Sequence, residues 1–294
     1  MNYPTLIRFI AAWLIMWAGL TTGTRAEEAT LAFSVKVTGT GRPMILIPGL
    51  SCGGDVWDDT VAHFKDQYQC HVLTLAGFAG QPAIKAPFLG HVLTDLQKYI
   101  SEQSLDHPVI IGHSLGALLA YSLAASAPQK VGPVIAVDGL PFLSAIFNPA
   151  ATVESSRPFA EQYRSQYNAQ TPEAFAAANR KALETMITDP KNIETVDATS
   201  RKSDPKAVGE AMYEDMITDL RPRLKLIQSP VLLIGSTQAN PAGETLYRDE
   251  VSSIPKHEVV FAPKAKHFVQ LDAPEFFYSQ VEAFLQHTGA PERK

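Results

Sequence analysis

The stretch Pro108–Pro128 reads PVIIGHSLGALLAYSLAASAP. A short apolar run, Val109–Ile111, stops at Gly112-His113-Ser114-Leu115-Gly116. A run of small and helix-forming residues, LGALLAYSLAASA, follows. The pattern predicts a buried strand, a tight turn and a helix, with Ser114 at the turn. A serine so placed is forced outward, its hydroxyl above the carboxyl end of the strand. Gly112 and Gly116 lack Cβ atoms, which permits a strained backbone and close packing around the turn. The amino terminus of the following helix favours negative charge developing nearby. The alternative is an ordinary strand–turn–helix with a capping serine, and the flanking pattern favours a nucleophile.

Working outward, five further apolar runs have the same character. MILIPGL, HVLTLAGF, VIAVDGL and VLLIGS are short and continuous, as strands buried on both faces require, and HEVVFAP reads as a last strand. LAFSVKVTGTG alternates and ends in glycines, which predicts an edge hairpin. Helical patterns such as WDDTVAHFKDQ and VLTDLQKYISEQ lie between strands. The alternation predicts an α/β protein with a mostly parallel, doubly wound sheet.

From Phe142 to about Arg223 the alternation stops. ATVESSRPFAEQYRSQYN, TPEAFAAANRKALETMIT, DPKNIETVDATSRKS and DPKAVGEAMYEDMITDL read as helices, with start signals at Thr171-Pro172 and Asp204-Pro205. So long a segment between two strands predicts a cap over the site. The expected organisation is a signal peptide at 1–26, core at 27–141, helical cap at 142–223, and core again at 224–294.

The signal expectation rests on Arg8, the apolar run Phe9–Leu20, and Thr24-Arg25-Ala26. The expected location is periplasmic or secreted, with cleavage after Ala26. An uncleaved anchor is the competitor, although the run is shorter than the roughly 20 residues a spanning helix needs. Of the 25 Lys and Arg, Arg8 and Arg25 lie in 1–26, as do none of the 30 Asp and Glu. The mature chain would therefore be acidic, and no basic tract marks nucleic-acid binding. Cys52 and Cys70 lack metal-type spacing. After export they would either form a disulfide or stay as free, buried thiols.

LIPGLSCGGDVWD, GHSLGA and APKAKHFVQLDAPEFF together resemble the α/β-hydrolase-fold superfamily, over nearly the whole mature length. The resemblance implies a serine hydrolase of α/β-hydrolase fold with an inserted helical cap. His267, after the last predicted strand, stands where the family places its catalytic histidine, and an imidazole suits removal of the serine proton near neutral pH. His113 reads as packing within the turn; the other six histidines have no comparable context. Asp272 reads as a helix cap with Glu275.

The acid is less direct. Many relatives carry an aspartate after the strand that follows the cap, but VLLIGSTQANPAGE has Gln238 there and no carboxylate before Glu244. Asp138, ending the preceding strand in VIAVDGLP, is the first choice, and Ser114, Asp138, His267 is the expected order. Asn240 and Glu244 are the alternatives; Asp138 could instead cap the turn before Gly139. Leu115 should supply one backbone N–H to an oxyanion hole. By resemblance Leu50 supplies the other, with Ser51 as alternative because Pro48 replaces the usual histidine. Trp57 is expected as core beneath this loop.

The implied reaction is acyl transfer through a seryl ester, without metal or organic cofactor, on a small-molecule ester or acyl substrate. Phe142, Phe147, Phe175, Met186, Met212 and Met216 are candidates for an apolar pocket or for cap packing. The sequence carries no exposed apolar lid signal of a lipase. Carbon–carbon, thioester and lactone hydrolysis use the same machinery. A ligand-binding module that lost turnover is a further reading.

Overall fold

The computed structural model describes residues 31–238 and 243–288. The expected signal segment and Asn240 lie outside them. The strands are β1 (Phe33–Thr38), β2 (Arg42–Ile47), β3 (Tyr68–Leu75), β4 (Val109–His113), β5 (Val134–Val137), β6 (Val231–Ser236) and β7 (His257–Ala262). They form one sheet in the order β1-β3-β2-β4-β5-β6-β7. Only β1 is antiparallel to its neighbour.

The apolar runs are continuous because both faces of the sheet are covered. Ile45, Ile47, Ile110, Val134, Ala136, Val231 and Leu233 enter one core cluster. The alternate residues, among them Met44, Leu46, Ile111, Ile135, Val137, Leu232 and Ile234, enter the other. Side chains of a strand point to opposite faces in turn, so two cores need no polar position between them.

Before the insertion lie α1 (Asp58–Phe64), α2 (Phe88–Glu102) and α3 (Leu115–Ser126). Helix α3 is buried on all sides from Leu115 to Ala125. Between β5 and β6 come α4 (Val153–Asn168), α5 (Pro172–Met186), α6 (Pro190–Ser200) and α7 (Pro205–Ile217). Thr171 Oγ1 accepts from Ala174 N–H at 3.2 Å, and Asp204 Oδ1 from Lys206 N–H at 2.8 Å, so both start signals are working caps. The chain ends in α8 (Gly243–Val251), α9 (Val269–Asp272) and α10 (Pro274–His287). Among the described residues, no helix is long and apolar enough to cross a membrane.

Two expectations are corrected, and one open alternative closes. The first strand makes no hairpin with the second: β2 already has parallel partners on both edges, so β1 crosses to the free edge of β3, Phe33 opposite Leu75. Asp272 does not cap α10, which starts at Pro274 with Ala273 before it. Its carboxylate is occupied elsewhere, as described below. Cys52 and Cys70 are both free and buried. Cys70 lies on β3 beside Met44, and Cys52 lies in the loop after β2.

Candidate active site

Ser114 connects β4 to α3 with φ 54° and ψ −119°. Such a backbone is unfavourable for a residue with a Cβ and costs on the order of 1–3 kcal/mol. The neighbours hold it there. Ser114 N–H donates to Val137 O at 2.9 Å, and Ala117 N–H donates to Ser114 O at 2.8 Å. A Cβ on Gly112 would collide with the Gly116 carbonyl, and one on Gly116 with the Ile47 carbonyl. The two glycines are therefore what lets strand and helix close on the turn.

Across the cavity, His267 Nδ1 stands 2.7 Å from Asp138 Oδ2. An ionised carboxylate only accepts, so Nδ1 is the donor, and in the neutral imidazole that leaves the Nε2 lone pair free. Asp138 is buried and also accepts from Ser236 N–H at 2.7 Å, Ser236 Oγ at 3.1 Å and Tyr247 OH at 2.9 Å. Burial pushes its pKa upward, but the His267 bond and charge, the Ser236 amide and the Tyr247 hydroxyl outweigh this and hold it below the usual range. Tyr247, itself pushed well up by burial and by the Asp138 charge, stays a donor. Asp138 has φ 45°, a second strained residue at a strand end.

Neither the expected late position nor Glu244 reaches the imidazole. Gln238 is exposed and its N–H donates to Ala265 O at 3.2 Å. Glu244 pairs with Arg248 one turn along α8, at 3.6 Å.

His113 does more than pack. It is buried, its Nε2–H donates to the His267 carbonyl at 3.1 Å, and the two rings lie 4.6 Å apart. Burial, then the neighbouring His267, pushes its pKa down to about 3, so it remains a neutral support. From the other side the His267 loop is fastened to the end of α5. Phe268 N–H donates to Met186 O at 3.3 Å, and Lys266 Nζ to Glu184 O and Ile187 O, both at 3.0 Å. Asp272 accepts from Thr188 N–H and Oγ1 at 2.9 and 2.8 Å and from Lys266 N–H at 2.9 Å.

Ser114, Asp138 and His267 line one cavity of about 480 Å³. Leu50 also lines it, and Leu115 starts α3, where the first N–H groups have no helical acceptor. Neither amide donates to another described backbone group. Ser51 has φ 58° and its hydroxyl donates to Asn179 Oδ1 at 3.2 Å. Trp57 is fully buried, as expected. Of the apolar cap candidates, Met186 and Met212 line the cavity, whereas Phe142, Phe175 and Met216 are core. Phe147 is 60% exposed and packs edge-on against Phe159, 39% exposed, an apolar surface pair the sequence did not signal.

Sequence reasoning missed Tyr247, Ser236 and Asp215. The first two act only through Asp138, from 109 and 98 residues away, and carry no local pattern. Asp215 sits in a helix whose periodicity gives no sign that a carboxyl group faces the cavity.

A strained serine between strand and helix, amides free beside it, and an imidazole held by a buried carboxylate can together activate an oxygen nucleophile and receive an oxyanion. With a mostly parallel seven-stranded sheet and helices inserted after β5, this is the α/β-hydrolase architecture. The chain belongs to the alpha/beta hydrolase family, which it matches over residues 44–280. It is 25% identical over 260 residues to the pimeloyl-[acyl-carrier protein] methyl ester esterase of Pectobacterium carotovorum, covering 88% of this chain and 99% of that one. Among solved structures it resembles a thermophilic esterase from Thermogutta terrifontis, with TM-score 0.73, 19% identity and coverage of 87% and 93%. An enol-lactonase from Burkholderia xenovorans matches with TM-score 0.71, 18% identity and coverage of 86% and 96%.

Proposed function

We propose that this chain is a serine esterase acting on a small or medium carboxylic ester through a seryl acyl-enzyme. The 2.7 Å contact between His267 Nδ1 and Asp138, in the cavity that Ser114 also lines, carries the reading. His267 Nε2 takes the Ser114 hydroxyl proton as Oγ attacks the carbonyl carbon. The N–H groups of Leu50 and Leu115 bind the resulting oxyanion. Collapse expels the alcohol, which takes the proton from His267. Water then attacks the acyl-enzyme, giving its proton to His267, and the acid leaves as Ser114 recovers its hydrogen. The similarity to the Pectobacterium methyl ester esterase supports the ester class.

A binding-only module would leave the four hydrogen bonds on Asp138 without a purpose beyond structure, which favours turnover. The deciding experiment is mass spectrometry of the protein with a fluorophosphonate, with site mapping. One adduct on Ser114, absent from Ser114→Ala, supports the reading. A folded protein that forms no adduct and shows no Ser114-dependent ester turnover overturns it.

Export with cleavage after Ala26 is part of the proposal and rests on Arg8, the apolar run Phe9–Leu20 and the small residues after it. The intact mass of the secreted or periplasmic protein checks it. A chain beginning at Glu27 supports it, and a chain retaining residues 1–26 overturns it.

A further inference from the structure

One carboxyl group in the cavity is not used by the chemistry above. Asp215, on α7, lines the cavity and is only 5% exposed. It accepts no hydrogen bond and forms no ion pair with any described residue. The other buried acids among the described residues each have at least one oxygen partnered: Asp138 by His267, Ser236 and Tyr247, Glu250 by Arg221 at 3.4 Å, and Asp197 by Arg201 at 3.7 Å. Leaving a buried acid without a partner is costly, and natural sequences rarely do so without a use.

The surroundings of Asp215 define what would complete it. No lysine or arginine is among the described residues that line the cavity. An anionic substrate group would therefore find no counter-charge there and would face a carboxyl group. Met212, one turn earlier on α7, and Tyr167, near the end of α4, line the same cavity. Tyr167 packs against Phe175 with ring centroids 6.3 Å apart, and its hydroxyl makes no hydrogen bond to a described residue. An aromatic ring, a thioether and an unpaired acid in one desolvated space form a surface that attracts a cation.

We propose that Asp215, with Tyr167 and Met212, forms a subsite for a cationic nitrogen, so that the preferred ester carries an ammonium group. The inference rests on the esterase reading and specifies its substrate class. Burial holds the empty carboxyl near neutrality, at a pKa of about 7, and an arriving cation would favour the ionised form.

The test uses two isosteric ester pairs that differ only in N⁺ against C. One pair places the cation in the acyl group: 4-nitrophenyl 4-(trimethylammonio)butanoate against 4-nitrophenyl 5,5-dimethylhexanoate. The other places it in the alcohol: the choline ester of butyric acid against its 3,3-dimethylbutyl ester. The wild-type protein should prefer the cationic member of at least one pair by tenfold or more in kcat/KM. In Asp215→Asn the preference should fall toward unity, mainly through KM. Equal kcat/KM within both pairs overturns the subsite, as does a preference that survives Asp215→Asn. If no ester of either kind is turned over in a Ser114-dependent way, the esterase reading fails and the subsite is judged separately. Calorimetry of benzyltrimethylammonium with wild type and Asp215→Asn then decides: saturable binding weakened at least tenfold in the variant supports the subsite, and absent or equal binding overturns it. The wild-type comparisons stand even if the variant does not fold.

Discussion

Asp138 takes four hydrogen bonds, and one of them reaches the imidazole. Asp138→Asn would present an amide to His267 and favour the wrong tautomer. Turnover is expected to fall by about 10³–10⁴ with folding retained, as steady-state kinetics beside circular dichroism would show. Tyr247→Phe removes a bond to a charged acceptor, worth about 1.5–3 kcal/mol. It should lower kcat by roughly tenfold or more and shift the pH profile, whereas a purely structural tyrosine would alter only stability. Asp215 gives a stability test independent of catalysis. Burial raises its folded pKa from 3.8 to about 7. The folded form therefore holds a proton that the unfolded chain releases between about pH 4 and 7. The stability tied to that proton is present below pH 4 and lost as pH rises through 7. A shift of this size corresponds to a few kcal/mol. Urea unfolding should show Asp215→Asn gaining stability relative to wild type between pH 4.5 and pH 8. A constant difference across that range would refute the assigned shift.

At the scale of elements, the turn at Ser114 depends on two backbones lying almost in contact. Gly116→Ala would drive a methyl group into the Ile47 carbonyl at the centre of the sheet. The expected cost is several kcal/mol, read as a fall in midpoint by chemical denaturation, or as a failure to accumulate folded protein. The Asp272 bonds join the His267 loop to the residues after α5. Asp272→Ala should cost about 1–3 kcal/mol in stability and, under the proposed function, lower kcat more than it raises KM, because what it loosens is the position of His267. Three of the four helices inserted between β5 and β6 were legible because Thr171, Asp189 and Asp204 each precede a proline and cap the helix that follows, whereas α4 starts at a Thr152–Ser155 capping box without a proline. The pairing of β1 was not, because an alternating edge strand carries no mark of which neighbour it will meet.

For the whole molecule, both thiols are enclosed. Burial pushes Cys70 up to about 11 and raises Cys52 further, the latter helped by Asp55. Native protein should leave Ellman's reagent almost unchanged, and two thiols per chain should react once it is unfolded. The sheet was readable from sequence because each central strand supplies two cores at once and so is apolar at every position. Ser114, His267 and Asp138 were readable because each lies at or just after the end of a recognisable strand. Tyr247, Ser236 and Asp215 were hidden, since their significance exists only once distant segments meet. The fastening of the His267 loop to α5 has a consequence for motion. The edge of the inserted helices bearing Met186 cannot swing outward without dragging His267 away from Asp138. That edge of the inserted helices is therefore a doorpost rather than a door: it and His267 keep or lose their places together.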